Sequence, residues 1–246
     1  MVCWYNECEI SVSGFGARAD ERVYIIVLSG RMRMETCYLR KRYNQRFSER
    51  IVMCGRYYVD DETAREIEKM VLDLDKSMKF QGKRDINPSQ KAVVLCRNDQ
   101  KLTAEWMEWG FPGYDKGKLL INARAEGITE KRTFRDSVLH HRCVIPARGF
   151  YEWNARKEKF HFENLRENKN LYLAGCFRLF QEQQRFVIIT TAANESMLPV
   201  HQRMPLIMEQ NEIEDWIMDD EATEHMLKKV PEQLQRYTHY EQMSLF

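Results

Sequence analysis

Five short segments gather the side chains of this sequence that are capable of reaction chemistry. Met53-Cys54-Gly55-Arg56-Tyr57 carries a thiol beside a glycine and an arginine. Ile121-Asn122-Ala123-Arg124-Ala125-Glu126 carries a carboxamide, a guanidinium and a carboxylate. Ile145-Pro146-Ala147-Arg148-Gly149-Phe150-Tyr151-Glu152-Trp153 sets Glu152 between two aromatic rings. Ile189-Thr190-Thr191-Ala192-Ala193-Asn194 is followed closely by His201-Gln202-Arg203-Met204-Pro205. A thiol is a nucleophile, and a carboxylate and an imidazole move protons, so these residue types suit covalent chemistry with acid–base assistance. The aromatic flanks of Glu152 are a setting that can raise a carboxyl pKa by desolvation. Taken singly, each group has a plainer reading: Glu152 as a solvated strand carboxylate, His201 as a structural imidazole.

Other chemistries find less support. The seven cysteines are Cys3, Cys8, Cys37, Cys54, Cys96, Cys143 and Cys176. Their number is odd and no Cys-x-x-Cys occurs, which argues against a disulfide framework or a zinc ribbon. Cys96, Cys143 and Cys176 sit in apolar contexts and read as small buried hydrophobes. No motif calls for a metal or a cofactor. Net charge is +1 over 246 residues. Residues 1–52 carry nine Lys/Arg against six Asp/Glu, and the remainder is net −2. Binding of nucleic acid by the main domain must therefore come from a local patch.

The elements that position these groups follow from periodicity. Asp60 or Asp61 caps an expected helix whose stripe is Ile67, Met70, Val71, Leu74 and Met78. Strands are expected over Lys91–Cys96, Leu102–Trp109, Leu119–Ala123, Arg142–Pro146, Phe150–Trp153, Leu171–Phe177, Phe186–Thr191 and Leu206–Met208. Helices are expected near 132–140, 211–218, 221–229 and 231–236. Strands outnumber helices and come in runs. The expected class is α+β: a single domain on a strongly curved, mainly antiparallel sheet or barrel with flanking helices. Its bounds are 53–236, with a tail over 237–246. The 43% hydrophobic content suffices for one such core. Residues 1–52 read poorly as a domain: Tyr24–Leu28 is a lone strand candidate, and residues 38–50 are basic and polar. The segment is expected to be a disordered extension, a nucleic-acid arm, or upstream sequence from a misassigned start.

In order and spacing the five segments resemble the SRAP family, the SOS response-associated peptidases. Trp109-Gly110-Phe111-Pro112, Asn87-Pro88-Ser89-Gln90 and Trp216 fit the same pattern, so the resemblance spans residue 53 to about 220. Members of that family begin Met-Cys-Gly-Arg, lose the methionine, and use the exposed cysteine to capture abasic sites in single-stranded DNA. The resemblance implies that Cys54 forms a thiazolidine with the ring-opened sugar aldehyde, which only an N-terminal cysteine can do because amine and thiol must lie on adjacent carbons. An α-amine, with pKa about 7.7–8.0, is partly neutral at cell pH where a lysine is not. By the same resemblance Glu152 exchanges protons as imine and ring form, His201 protonates the sugar oxygen or a phosphate, and Asn122 orients Cys54. Arg56, Arg124 and Arg203 clamp phosphates. Trp109 and Trp106 stack on flanking bases and Asn87 and Pro88 contact the DNA, although Trp106 equally suits a core. The implied protein is a monomer.

The sequence departs from the family pattern in three ways. Arg148 stands where small or acidic residues precede the Gly-Phe-Tyr-Glu-Trp run, and is a further phosphate contact by this reading. Gln202 replaces an often acidic residue beside His201. And 52 residues precede Cys54, so that its nitrogen, as written, is a peptide amide. Either translation starts at Met53 or the chain is cut before Cys54. Competing readings are a thiol-dependent peptidase, which needs no free α-amine, and a non-catalytic single-stranded DNA adaptor. The last five residues, Gln242-Met243-Ser244-Leu245-Phe246, resemble the peptide that docks on the bacterial replication sliding clamp. No apolar run approaches the roughly 18 residues of a membrane span, and no signal peptide is evident. The expected location is the bacterial cytoplasm, at the nucleoid and its replication forks.

Overall fold

A computed structural model describes residues 54–71, 82–115 and 117–238. All of them lie within one compact unit, residues 51–246. The extension 1–52 with its Tyr24–Leu28 strand, the helix positions Leu74 and Met78, and the clamp-like peptide from Gln242 to Phe246 fall outside the described residues.

Fifteen strands and four helices follow in chain order. They are β1 (Arg56–Val59), α1 (Asp61–Met70), β2 (Arg84–Ile86), β3 (Lys91–Asn98), β4 (Lys101–Trp109), β5 (Phe111–Pro112), β6 (Leu119–Leu120), β7 (Asn122–Arg124), α2 (Arg135–His140), β8 (Arg142–Ala147), β9 (Gly149–Trp153), β10 (Lys159–Asn164), β11 (Leu171–Phe180), β12 (Gln183–Ala192), β13 (Arg203–Pro205), β14 (Ile207–Met208), α3 (Ile213–Met218), α4 (Thr223–Met226) and β15 (Leu234–Thr238). The α+β class is as expected. Strands β12, β4, β3, β8 and β11 close on themselves, since β11 and β12 also pair, and only the β12–β4 contact within that ring is parallel. A closed ring leaves no free edge among its members. A second sheet runs β15-β10-β9-β1-β2, antiparallel throughout.

Alternation along the strands divides the core in two. One cluster joins Val94, Cys96, Met107, Trp109, Cys143, Ile145 and Ile188 of the ring to Tyr57, Phe150 and Phe162 of the second sheet. The other sets Val93, Leu95, Ala104, Val144 and Ile189, from the opposite faces of ring strands, against Ile67, Val138, Trp216 and Met226 of the helices. Cys96, Cys143 and Cys176 are free and buried, as their contexts imply.

Local chemistry explains the elements nearest the reactive segments. Asp60 caps α1 by accepting the N–H groups of Glu62 (3.1 Å) and Thr63 (3.0 Å), while the Thr63 hydroxyl accepts the Asp60 N–H. Gly149 opens β9 because nothing larger fits: a Cβ there would lie 2.5 Å from the Phe162 carbonyl oxygen and 2.7 Å from the Tyr58 hydroxyl. Arg142, buried on β8, donates to the carbonyls of Val138, Leu139 and Trp216 and to Asp220, tying the ends of α2 and α3 to the ring.

Three expectations about elements need correction. The helix expected over 231–236 is strand β15, preceded by Pro231 and paired along the edge of β10 from Leu234 to Thr238. Edge pairing overrides the helix preference of Glu-Gln-Leu-Gln-Arg. The strand expected over Leu119–Ala123 breaks at Ile121, whose carbonyl accepts both the Trp109 indole N–H and the Ile188 N–H. Beyond the break, β7 pairs in parallel with β12. The strand expected over Leu206–Met208 starts one residue later, after β13 has paired with β12.

Candidate active site

The site is built where β1 lies beside β9. Antiparallel register pairs Arg56 with Tyr151, which brings Cys54 up to the Glu152–Trp153 end of β9 although 98 residues separate Cys54 and Glu152 in sequence. Cys54 is fully buried. Its backbone N–H donates to Glu152 Oε2 at 2.7 Å, and the Trp153 N–H donates to Glu152 Oε1 at 3.0 Å. Each carboxylate oxygen thus receives one backbone donor. Cys54 has φ +47°, in the left-handed region that side-chain-bearing residues seldom occupy.

Glu152 is 1% exposed. Burial raises its pKa above the ordinary glutamate value, against the opposing pull of its two N–H donors and of His201. The aromatic neighbours on β9 are not the cause by themselves, since Tyr151 and Trp153 alternate to the other face of the strand; the packed interior that receives Glu152 is. The Cys54 thiol is pushed well above its usual pKa, first by burial and then by the charge of Glu152. It is therefore held as a thiol and not as a thiolate.

His201 acts on Glu152 through its charge and is half-buried. Its Nδ1 lies 3.0 Å from the Arg203 backbone nitrogen and 3.2 Å from the Arg203 carbonyl oxygen, so the Arg203 backbone fixes the ring. The loop carrying it hangs on Asn194, whose carboxamide donates to the carbonyls of Pro231 and Glu232 and accepts from Ser196 and Met197. Asn194 is a positioning residue that the motif contained but sequence reasoning left without a role. An asparagine satisfied at both ends of its amide is the signal that could have found it.

The arginines divide. Arg56 lies with its guanidinium 5.8 Å from the centre of the Trp153 ring and 3.8 Å from Asp85, and remains over a third exposed. Arg124 is exposed on β7. Arg203, expected to clamp a phosphate, instead forks onto Glu126 at 2.6 and 2.8 Å and donates to the Thr190 carbonyl at 2.6 Å. Its two terminal nitrogens are engaged within the protein while its buried Nε finds no partner, and the bond to Glu126 holds that carboxyl below its usual pKa. Arg148 is likewise engaged, with Asp60, Glu163 and the Lys169 carbonyl.

The tryptophans expected to stack on bases do not share a surface. Three residues apart on one strand, Trp109 and Trp106 face opposite sides. Trp109 is fully buried, with its ring against Tyr57 and Phe186 and its indole N–H on Ile121, and it offers no face to a ligand. Trp106 is half-buried against the helix-side core. Asn87 and Pro88 form a turn closed by Gln90, and Ser89 in it donates to the Trp109 carbonyl. Asn122 begins β7 opposite Ile188. Trp153, which the sequence reading weighed only for its effect on Glu152, is half-buried and overlain by Arg56. A cavity of about 320 Å³, lined by Arg97, His140, Arg142 and Asp220 among others, is separate from these groups. Among the described residues no cluster of ligating side chains suits a metal, and no helix is long and apolar enough to cross a membrane.

The fold is thus a closed strand ring flanked by a second sheet, with a buried cysteine at the head of a strand whose nitrogen donates to a buried carboxylate. The sequence profile described as "SOS response associated peptidase (SRAP)" matches residues 53–244. The chain belongs to that family. It is 30% identical over 181 residues to the abasic site processing protein YoaM of Bacillus subtilis, covering 67% of this chain and 79% of YoaM. It is 25% identical over 179 residues to the abasic site processing protein YedK of Escherichia coli, covering 68% and 81%. Among solved structures, a phage-related protein of Bordetella bronchiseptica has the same fold, with TM-score 0.62 at 21% identity, over 75% of this chain and 93% of that one.

Proposed function

We propose that the protein captures abasic sites in single-stranded DNA as a covalent adduct through Cys54, once that residue heads the chain. The observation that carries this reading is the 2.7 Å bond between the Cys54 nitrogen and Glu152: the carboxylate attends the nitrogen and not the sulfur. With the α-amine free, that nitrogen attacks the sugar aldehyde, forming the C–N bond. Glu152 takes a proton from nitrogen and returns one to the departing oxygen, and water leaves as the imine forms. The thiol then adds across the imine, its sulfur bonding carbon and its proton passing to nitrogen, to close the five-membered ring. The overall change is loss of one water. His201 serves in this scheme as the donor that holds the sugar open. Arg56 and Arg124 are the phosphate contacts, and Asn122 orients Cys54. Exposure of Cys54, by a start at Met53 with methionine removal or by cleavage of the preceding segment, comes first. The relatives named for abasic site processing agree with this reading.

The test is incubation of protein beginning at Cys54 with single-stranded DNA that is abasic or intact. An adduct stable to heat and detergent, lighter by one water than the sum of its parts, is expected with abasic DNA alone. No adduct, or an undiminished one from Cys54→Ser, overturns the proposal; a protein that binds strands equally with serine at this position is an adaptor.

We propose in addition that Gln242, Met243, Leu245 and Phe246 dock on the replication sliding clamp, with Leu245 and Phe246 as the apolar anchors. Micromolar affinity is expected from so short a peptide. Titration of purified clamp against the intact protein and a form lacking residues 242–246 decides it: equal affinity for both, or none for either, removes this partner.

A further inference from the structure

The end of the strand ring away from His201 opens into the cavity of about 320 Å³, which the chemistry at Cys54 does not use. Register sets it there. Cys96 pairs with Cys143 and Arg142 with Cys176, so Arg97, Arg142 and Phe177 come off neighbouring ends of β3, β8 and β11. Phe177 pairs with Phe186 of β12, whereas Ala192 of the same strand pairs with Arg203 beside His201. About 20 Å of strand separates the two pairs. The nitrogen-bearing side chains of the cavity are Arg97, His140, His141 and Arg142. Arg142 is buried and fully occupied, holding carbonyls at the ends of α2 and α3 and the Asp220 carboxylate at 2.5 Å. Arg97 is different. Its Nε donates at 2.9 Å to the carbonyl of Asp99, which turns the chain from β3 to β4 with φ +53°. That bond fastens Arg97 at the rim. Among the described residues, neither its terminal nitrogens nor the imidazoles of His140 and His141 have a hydrogen-bond partner within the protein.

We infer that this cavity binds a free nucleotide, with its phosphate held by Arg97, His140 and His141 and its base laid against Phe177. Charge is the first argument. Of the two carboxylates at the cavity, Asp220 is neutralised by Arg142, and the charges of Arg97 and His140 reach it too; its carboxyl lies below the usual range, first through the Arg142 hydrogen bond. Asp99 is the acid left to oppose an anion, and Arg97 bonds its backbone and not its carboxylate. Helices α2 and α3 both end at the cavity, where bare carbonyls would repel an anion, but those of Val138, Leu139 and Trp216 are taken up by Arg142. The unused N–H groups of three side chains suit the three terminal oxygens of a phosphate monoester, through charge-assisted bonds. Space is the second argument: a volume of about 320 Å³ lies at the low end of small-ligand pockets and is more than a bare phosphate fills. The third is an apolar wall. The rings of His141 and Phe177 meet at 53° with centroids 5.3 Å apart, Phe177 is half-buried, and buried Ile217 lines the same cavity, so a flat base finds a ring to lie on. None of these side chains belongs to the Cys54 site, and the inference is independent of the function proposed above.

The probe is deoxyadenosine monophosphate, titrated by calorimetry into the full 246-residue chain. A Kd between about 10 μM and 1 mM is expected. Arg97→Gln combined with His140→Gln, both at exposed positions, should weaken binding about tenfold or more. Asp99→Asn removes the opposing acid and should tighten binding about threefold, a gain that misfolding does not produce. Deoxyadenosine and inorganic phosphate should each bind about tenfold more weakly than the nucleotide, since each makes only part of its contacts. No saturable binding by the wild type overturns the inference, as do variants that bind like the wild type. Phosphate binding as tightly as the nucleotide reduces the cavity to an anion site and overturns the base contact; deoxyadenosine binding as tightly overturns the phosphate contacts. An undamaged single strand lacking a 5′-phosphate should leave the bound nucleotide in place, and displacement by it overturns the cavity as the site. The titration uses no abasic DNA, so its failure and the failure of the proposed function are told apart.

Discussion

Glu152→Gln is expected to slow adduct formation by about 10²–10⁴-fold, the usual scale for an acid–base residue, while binding of undamaged strands stays within about twofold. The variant keeps the volume of Glu152 and one oxygen to accept an N–H, but it cannot take a proton from the Cys54 nitrogen. The pH profile separates loss of proton transfer from a merely local disturbance. In the wild type the rate should rise as the α-amine loses its proton, with a pKa of about 7.7–8.0. It should also bear the imprint of Glu152, whose burial moves its titration upward from the ordinary glutamate range. The protonated carboxyl that expels water therefore persists to higher pH than an unperturbed glutamate allows. In Glu152→Gln the Glu152 limb should vanish and only the amine titration remain. Arg124→Ala is the counterpart: weaker binding and a salt dependence flattened by about one phosphate contact, with the rate at saturation preserved. Rapid quenching with denaturing electrophoresis measures the first effect, and anisotropy titration the second. If both variants lose only binding, this division of labour is wrong.

The second large effect concerns the nitrogen itself. Protein in which residue 53 or anything before it remains attached should form no stable adduct, however complete its fold. The lone pair of an amide nitrogen is delocalised into its carbonyl, so no imine forms and the thiol has nothing to close upon. The bond to Glu152 is then a donor contact only. The comparison needs the full 246-residue chain, shown by intact mass to be unprocessed, beside the chain beginning at Cys54. Equal crosslinking by the two would end the terminal-amine mechanism. Intact mass of protein recovered from cells reports in the same measurement where the mature chain begins.

The sequence disclosed the ring more readily than the sheet that holds the site. Strands β3, β4, β8, β11 and β12 carry long apolar or alternating runs, and their existence was legible because both of their faces are buried. Strand β1 follows a Cys-Gly pair and holds only four residues, too few for a period to emerge. Strand β10 alternates Phe160 and Phe162 with charged and polar residues, a legible pattern that its polar surroundings hid. Among the candidate site residues, Cys54, Glu152 and His201 were singled out through motif order; the approach of Cys54 to Glu152 depends on pairing across 98 residues, which no local pattern contains. Trp109 and Arg203 show the opposite failure. A tryptophan and an arginine in a motif suggested a ligand, but the indole N–H found a carbonyl and the guanidinium found Glu126. A motif marks what a family keeps, and burial decides whether it is kept for packing or for contact.

The left-handed torsion at Cys54 has a consequence for how the chain matures. That angle exists only while a residue precedes Cys54, because φ is defined by the preceding carbonyl carbon. An L-residue held there costs about 1–2 kcal/mol, and the fold imposes it while Glu152 fastens the nitrogen. Severing the bond before Cys54 deletes the torsion outright and leaves the amine in the grip it already had.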